Sequence, residues 1–157
     1  MKALKFIGIL LLIVVAVFFT LPLLMSDHAE VKQSIFIEAK AQTVFRQVNN
    51  LQNWRNWSPF EMGDPEMESI YEGPKSGVGC KHVWKSKEMG DGSLTILESR
   101  PYEFIQGALT MGESGTALDE WTFIEKDGGT EVTWYLKLSD LSYPFYKYFG
   151  FFAESMM

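Results

Sequence analysis

The segment LDEWTFIEKDGGTEVTWYLKLS, residues 118–139, decides the fold of this chain. Two runs of strand length, 118–126 and 130–139, flank Asp127-Gly128-Gly129, whose residues tolerate the backbone dihedrals of a tight turn. The segment therefore predicts a β-hairpin. Trp134 falls in the middle of the second run, so we expect its ring on a face of a sheet.

The same pattern continues outward from this hairpin toward the N-terminus. Four more strands are predicted, at 67–73, 79–88, 93–99 and 103–112, and residues that favour turns separate them. Short strands at such regular spacing favour one antiparallel sheet. Further upstream, residues 30–39 alternate in character and predict a strand with two different faces.

Helical periodicity interrupts and ends this series of strands. Residues 41–51 place Val44, Phe45, Val48 and Leu51 on one helix face. A second short helical turn carries Trp54 and Trp57 and stops at Ser58-Pro59. The last predicted helix opens at Tyr143-Pro144-Phe145 and repeats an aromatic or methionine side chain at Tyr146, Phe149, Phe152 and Met156. Because no glycine or basic final turn closes this helix, we expect the chain to lack its last turns.

The N-terminal residues predict a membrane anchor. Residues 6–26 carry no charge and, as a helix, would be about 31 Å long, which matches a hydrocarbon core of about 30 Å. A cleaved secretory signal is the alternative, but its apolar region is usually shorter and ends at a small-residue cleavage site. We therefore divide the chain into an anchor, residues 1–26, which contacts the membrane through residues 6–25, and one domain, residues 27–157.

Charges on either side of this anchor predict its orientation. Lys2 and Lys5 precede it, whereas Asp27 and Glu30 follow it. Because the positive flank of a spanning helix stays in the cytoplasm, we expect a single-pass protein with a cytoplasmic N-terminus and a periplasmic or extracellular domain.

The composition of the domain excludes several classes of function. After residue 26 the chain holds 12 basic and 20 acidic residues, a net charge of −8, so nucleic acid is not an expected partner. Cys80 is the single cysteine, which rules out an intramolecular disulfide. One cysteine and two distant histidines do not make a structural zinc set, and we expect neither a metal nor a cofactor.

Several segments resemble the opening and later parts of a known superfamily. They are Val31-x-x-Ser34-Ile35-x-Ile37-x-Ala39, Leu51-x-x-Trp54-x-x-Trp57-Ser58-Pro59-Phe60, Tyr71-x-Gly73, Gly77-Val78-Gly79 and Gly129-Thr130-x-Val132-Thr133-Trp134. Together with the order of strands and helices, they resemble the START-like (SRPBCC) superfamily of polyketide cyclase/dehydrase-type proteins. The resemblance implies an α+β helix-grip fold, in which a curved sheet wraps around a C-terminal helix. It also implies an apolar cavity for lipids, sterols, polyketides or other hydrophobic molecules.

Aromatic residues are the candidate ligand contacts in such a cavity. We predict ligand binding by six residues: Trp54, Trp57, Tyr71, His82, Trp84 and Trp134. Ordinary core packing is the alternative for each of them. His82 shares strand parity with Cys80 and Trp84 and could act as a general base, with Glu98 as a neighbouring carboxylate, although a structural role is favoured for it.

These observations favour one function over two others. The leading hypothesis is a membrane-anchored module that binds a hydrophobic small molecule or lipid by burial, without catalysis. An enzyme of the cyclase, dehydratase or hydrolase type would use the same cavity with His82, Tyr71 or Glu98. A tethered adaptor, which would present the sheet edge or the aromatic terminus to a partner protein, is the third hypothesis.

Overall fold

The computed structural model describes residues 2–88, 90–112 and 115–155. Helix α1, Lys2–Thr20, contains the apolar run and is followed by a 3₁₀ helix, Leu21–Leu24. Lys5–Leu24 is the one stretch within these residues that is long and apolar enough to span a membrane, with a mean hydropathy of 3.0.

The domain begins with strand β1, Ala29–Ile37, and three short helical segments. Helix α2 spans Ala41–Asn49, a 3₁₀ helix spans Leu51–Asn56, and helix α3 spans Pro59–Gly63. The predicted helix over 41–51 is thus divided, because Asn50 has an extended backbone and its side chain accepts a hydrogen bond from the Gln52 amide.

Six more strands form the meander that the turn residues predict. They are β2 Glu68–Glu72, β3 Lys81–Lys85, β4 Gly92–Arg100, β5 Phe104–Thr110, β6 Thr116–Lys126 and β7 Gly129–Ser139. All seven strands join in one antiparallel sheet of order β1-β7-β6-β5-β4-β3-β2. The predicted α+β fold with one antiparallel sheet is therefore confirmed.

β3 is shorter than the predicted strand at 79–88. Gly79 has a φ of +86°, and the Cys80 amide donates to the Gly77 carbonyl, so this end of the segment is a turn. At the other end, the Ser86 amide donates to Asp91 Oδ1, which directs the chain into the next turn.

The main core lies between α2 and one face of the sheet, which we call the inner face. Val44, Phe45 and Val48 of α2 are buried, and they pack with inward residues of the strands such as Ile96, Ile105, Phe123 and Val132. Glu125 of β6 also accepts a hydrogen bond from the Ala41 amide, which satisfies a donor at the start of α2. A register shift between Ile96 and Glu98 interrupts the pairing of β4, and such bulges bend a strand.

Helix α4, Phe145–Ser155, completes the helix-grip fold that the resemblance implies. It packs mainly against β1 and does not lie across the whole inner face. Gly150 allows this approach, since a Cβ there would lie 2.5 Å from Leu141 Cδ1 and 3.1 Å from Ala29 Cβ. Met156, predicted on the same helix face, lies outside the described residues.

Candidate functional site

Four indole rings gather against the inner face, and we call Trp54, Trp57, Trp121 and Trp134 the tryptophan cluster. Trp121 of β6 lies opposite Trp134 of β7 in the sheet register, and their rings stack with centroids 5.8 Å apart. The 3₁₀ helix Leu51–Asn56 and the residue after it bring Trp54 and Trp57 to within 5.9 and 6.0 Å of Trp121. Strand pairing and one helical segment thus assemble a site that is mostly aromatic.

A buried carboxylate fixes two of these rings. Asp119 lies two residues before Trp121 on the same face of β6 and is 5% exposed. It accepts hydrogen bonds from Trp121 Nε1 at 2.8 Å and Trp134 Nε1 at 2.5 Å. Burial raises the pKa of Asp119 to about 6, an effect that the two indole hydrogen bonds oppose and the nearby Glu120 charge supports.

The tryptophan cluster is only partly enclosed. All four of its side chains are half-buried, as are Trp84 and Leu109 on the same face of the sheet. α4 makes its main contacts with β1 and not with the strands that carry these rings. Trp57 Nε1 is buried and has no hydrogen-bond partner within the described part of the chain.

A second group of side chains lies toward the β2 edge of the inner face, and we call Glu61, Ser69, Tyr71 and His82 the polar cluster. The His82 and Tyr71 rings stack 4.6 Å apart, and His82 Nε2 lies 3.0 Å from Ser69 Oγ. His82 Nδ1 lies 3.7 Å from Glu61 Oε1, and the Tyr71 hydroxyl donates to Glu61 Oε2 at 3.5 Å. The His82 and Glu61 side chains are only 6% and 8% exposed.

Burial controls the ionisation of the polar cluster. Desolvation, with a smaller contribution from the positive charge of Arg55, lowers the pKa of His82 to about 4. Desolvation raises the pKa of Glu61, although Arg55 and the Tyr71 hydrogen bond oppose the shift. The pKa of Tyr71 is also raised, first by burial and then by the Glu61 charge. His82 is therefore neutral at pH 7, so its approach to Glu61 is not a charged ion pair.

The structure brings all six predicted ligand contacts to the inner face. Trp54, Trp57 and Trp134 lie in the tryptophan cluster, whereas Tyr71 and His82 lie in the polar cluster. Trp84 adjoins the polar cluster, with its ring 5.2 Å from that of His82. Whether these residues contact a ligand stays a prediction.

Glu98 takes no part in this arrangement. Its carboxylate lies 3.2 Å from Arg100 Nη1, and both side chains are exposed. The carboxylate that approaches His82 is instead that of Glu61.

Sequence reasoning missed Glu61, Ser69 and Asp119 as site residues. The Asp119 position was detectable, because its strand parity matches that of Trp121 and Phe123. Glu61 and Ser69 belong to an acidic stretch that has the character of a solvated loop and an edge strand. No local pattern shows that α3 carries Glu61 to His82.

Two grooves lie outside the tryptophan cluster and the polar cluster. One, of about 460 Å³, separates α4 from the 3₁₀ helix Leu21–Leu24 and is lined largely by apolar side chains, among them Leu21, Leu24, Phe151 and Phe152. Another, of about 470 Å³, lies at the start of α2. Across residues 2–88, 90–112 and 115–155, no three His, Cys, Asp or Glu side chains come together as metal ligands.

Residues 28–157 match the family described as polyketide cyclase/dehydrase and lipid transport. The chain belongs to this family. Membership in the polyketide cyclase/dehydrase and lipid transport family confirms the resemblance. The match spans residues 28–157 and does not include α1. No curated protein matches the sequence.

Solved structures agree with this family's fold. A Staphylococcus aureus protein of unknown function, SA2116, is 14% identical with a TM-score of 0.60, over 83% of this chain and 85% of that one. An uncharacterised Rhizobium leguminosarum protein is 15% identical with a TM-score of 0.59, over 83% and 93%. DynU16, from the dynemicin biosynthetic locus, is 13% identical with a TM-score of 0.52, over 74% and 39%. At such identities the likeness concerns the fold alone.

Proposed function

We propose that this protein is a membrane-tethered module that binds a hydrophobic small molecule or lipid on the inner face of its sheet. The observation that carries the proposal is the tryptophan cluster, four half-buried indoles on the inner face, whereas α4 makes its main contacts with β1. Large aromatic side chains with a few placed polar groups are typical of sites for apolar ligands. The family description, which includes lipid transport, agrees with this interpretation.

Burial of apolar surface supplies the binding energy in this proposal. A ligand that covers about 200 Å² of apolar surface gains about 5 kcal/mol, before the entropic cost of association is subtracted. Asp119 contributes by holding Trp121 and Trp134 in fixed orientations, because immobilised rings lose little entropy when a ligand arrives. The site would therefore act by shape and burial.

The tether in this proposal is α1 with the 3₁₀ helix that follows it. Phe18 stacks on Tyr148 with centroids 5.1 Å apart, and the Tyr148 hydroxyl donates to the Phe18 carbonyl at 2.8 Å. The Tyr143 hydroxyl donates to the Phe19 carbonyl at 2.6 Å. Because these contacts join α4 to the domain end of the span, the domain would lie close to the bilayer surface, on the side opposite Lys2 and Lys5.

Exposed aromatic residues on α4 support the same location. Phe145, Phe149 and Phe152 are each more than half exposed and follow helical spacing. Aromatic side chains are favoured at the boundary between lipid and water. We infer that this face of α4 contacts the lipid surface.

A binding measurement on two variants tests the proposed function. The full chain in nanodiscs is titrated with tritiated palmitic acid, and uptake by empty nanodiscs is subtracted. Trp134→Ala is expected to weaken binding about 10-fold, which corresponds to about 1.4 kcal/mol of lost contact. Trp57→Ala tests the same cluster without removing an observed hydrogen bond.

Ile124→Ala is the matched control, since Ile124 lies on β6 with Trp121 but is exposed on the opposite face. It is expected to bind like the wild type. Equal affinities in all four proteins would refute ligand binding by the tryptophan cluster. Far-ultraviolet circular dichroism verifies that each variant is folded.

A further inference from the structure

We propose that Ser69, His82 and Glu61 form a hydrolytic site for carboxylic esters with an apolar acyl chain. The three side chains lie in the order nucleophile, base and orienting carboxylate: Ser69 Oγ is 3.0 Å from His82 Nε2, and His82 Nδ1 is 3.7 Å from Glu61 Oε1. This order is that of the catalytic triads which recur on unrelated folds. The proposal adds a reaction to the inner face and does not depend on ligand storage by the tryptophan cluster.

An unpartnered oxygen supports the assignment of Glu61. Its Oε1 is buried and makes no hydrogen bond to any described residue, although a buried acceptor of this kind normally has a partner. The nitrogen that faces it is His82 Nδ1. A movement of about 0.7 Å would bring the two atoms to hydrogen-bond distance, and such bonds are often long in unliganded sites.

His82 is in the uncharged form that a general base requires, and its lowered pKa makes it a weaker base than an ordinary histidine. Because burial and Arg55 hold its pKa well below neutrality, the imidazole at pH 7 is uncharged and can accept a proton at Nε2. In that tautomer Nδ1 carries the hydrogen, which points toward Glu61 Oε1. The positive charge of Arg55 also acts on Glu61 and Tyr71.

The position of Ser69 allows a substrate to reach it. β2 is an edge strand, Ser69 is half-buried, and its register partner on β3 is Trp84. Trp84 and the stacked Tyr71 and His82 rings form an aromatic wall beside the hydroxyl. An apolar acyl chain would lie along this wall, which defines the substrate class.

The reaction balances without a cofactor. Ser69 Oγ forms a bond to the ester carbonyl carbon while its proton passes to His82 Nε2. The bond from that carbon to the ester oxygen breaks, and the alcohol leaves with the proton from Nε2. Water then attacks the acyl group on Ser69, gives one proton to Nε2, and releases the carboxylic acid as that proton returns to Ser69 Oγ.

Covalent labelling of the full chain in detergent micelles tests the proposal. A fluorophosphonate probe is expected to modify the wild type once, at Ser69, as mapped by peptide mass spectrometry. Hydrolysis of p-nitrophenyl octanoate is expected to fall about 1000-fold or more in Ser69→Ala and His82→Gln. Ser93→Ala is the control, because Ser93 lies on β4 opposite Val83 and outside both clusters, and it is expected to keep wild-type turnover.

Glu61 is a positioning residue, and its test separates orientation from folding. Glu61→Gln is expected to lower kcat about 100-fold with little change in KM and to alter the pH profile of kcat/KM. A wild type that the probe does not label at Ser69 would overturn the proposal without reference to any variant. A wild type that lacks esterase activity but binds palmitate normally would overturn the hydrolytic site and leave the proposed ligand binding intact, so the two claims fail separately.

Discussion

The substitution Asp119→Asn tests how the tryptophan cluster is held. Asp119 is almost fully buried, and its pKa is raised from 3.8 to about 6. A raised folded-state pKa means that the native protein binds this proton more tightly than the unfolded chain. The stabilising contribution is therefore fully present below about pH 3.8 and is lost as pH rises through about 6.

The size of the Asp119 pKa shift limits how much the stability of the protein changes with pH. A pKa change of about 2 units corresponds to about 3 kcal/mol, which is an upper limit for the difference between pH 4 and pH 8. Asparagine cannot ionise, so the variant loses this pH dependence. It keeps one acceptor for an indole N–H and places a donor against the other, at a cost of about 1–2 kcal/mol. We expect Asp119→Asn to be less stable than the wild type at pH 4 and equally or more stable at pH 8.

Urea unfolding of the full chain in detergent micelles, followed by tryptophan fluorescence, measures this difference at each pH. The contributions of other titrating groups to the free energy of unfolding cancel when the variant is compared with the wild type at the same pH. These groups include His82, whose lowered pKa acts with the opposite sign. A stability difference between variant and wild type that is the same at pH 4 and pH 8 would refute the account of Asp119.

Three further outcomes follow from the structure. As pH falls from about 6.5 toward 4, the wild type loses up to about 3 kcal/mol of stability, because the unfolded chain takes up a proton on His82 before the native protein does. His82→Gln should remove this loss; urea unfolding of variant and wild type at pH 7 and at pH 4 measures it, and an unchanged pH dependence in the variant would contradict the expectation. Phe45→Ala should lower the free energy of unfolding by about 3–5 kcal/mol, since the ring is 4% exposed and packs edge-on against Phe123; a loss below about 1 kcal/mol would show that α2 does not anchor the core. A bimane label at Phe149→Cys should be quenched by doxyl lipids in vesicles whereas one at Ile124→Cys is not, and equal quenching would place α4 away from the lipid.

The sheet could be predicted because its signals are local. Each strand ends at residues that tolerate turn dihedrals, as at Asp127-Gly128 between β6 and β7, where Gly128 has a φ of +85°. The alternation within β6 and β7 likewise placed Trp134 on a face of the sheet. The errors lay at strand and helix ends, where Asn50 and Gly79 adopt conformations that periodicity does not reveal.

The site could be predicted only in part, because its polar residues meet through tertiary contacts. The aromatic members were found from their residue types, and the family resemblance suggested which face they share. The approach of Glu61 to His82 joins α3 to β3 across 21 positions of sequence, and Glu98 was the nearer candidate in the strand pattern. The placement of α4 depends on its packing against β1 and on hydrogen bonds from Tyr143 and Tyr148 to α1, which no pattern within α4 encodes.

Photocrosslinking tests the central claim, ligand binding on the inner face, most directly. The full chain in nanodiscs is irradiated with a diazirine analogue of palmitic acid, and the modified peptides are identified by mass spectrometry. We expect the label to concentrate on β6 and β7 around Trp121 and Trp134, and we expect Trp134→Ala to reduce it. Labelling confined to α1 and to the groove beside α4, with none on β6 or β7, would contradict the claim.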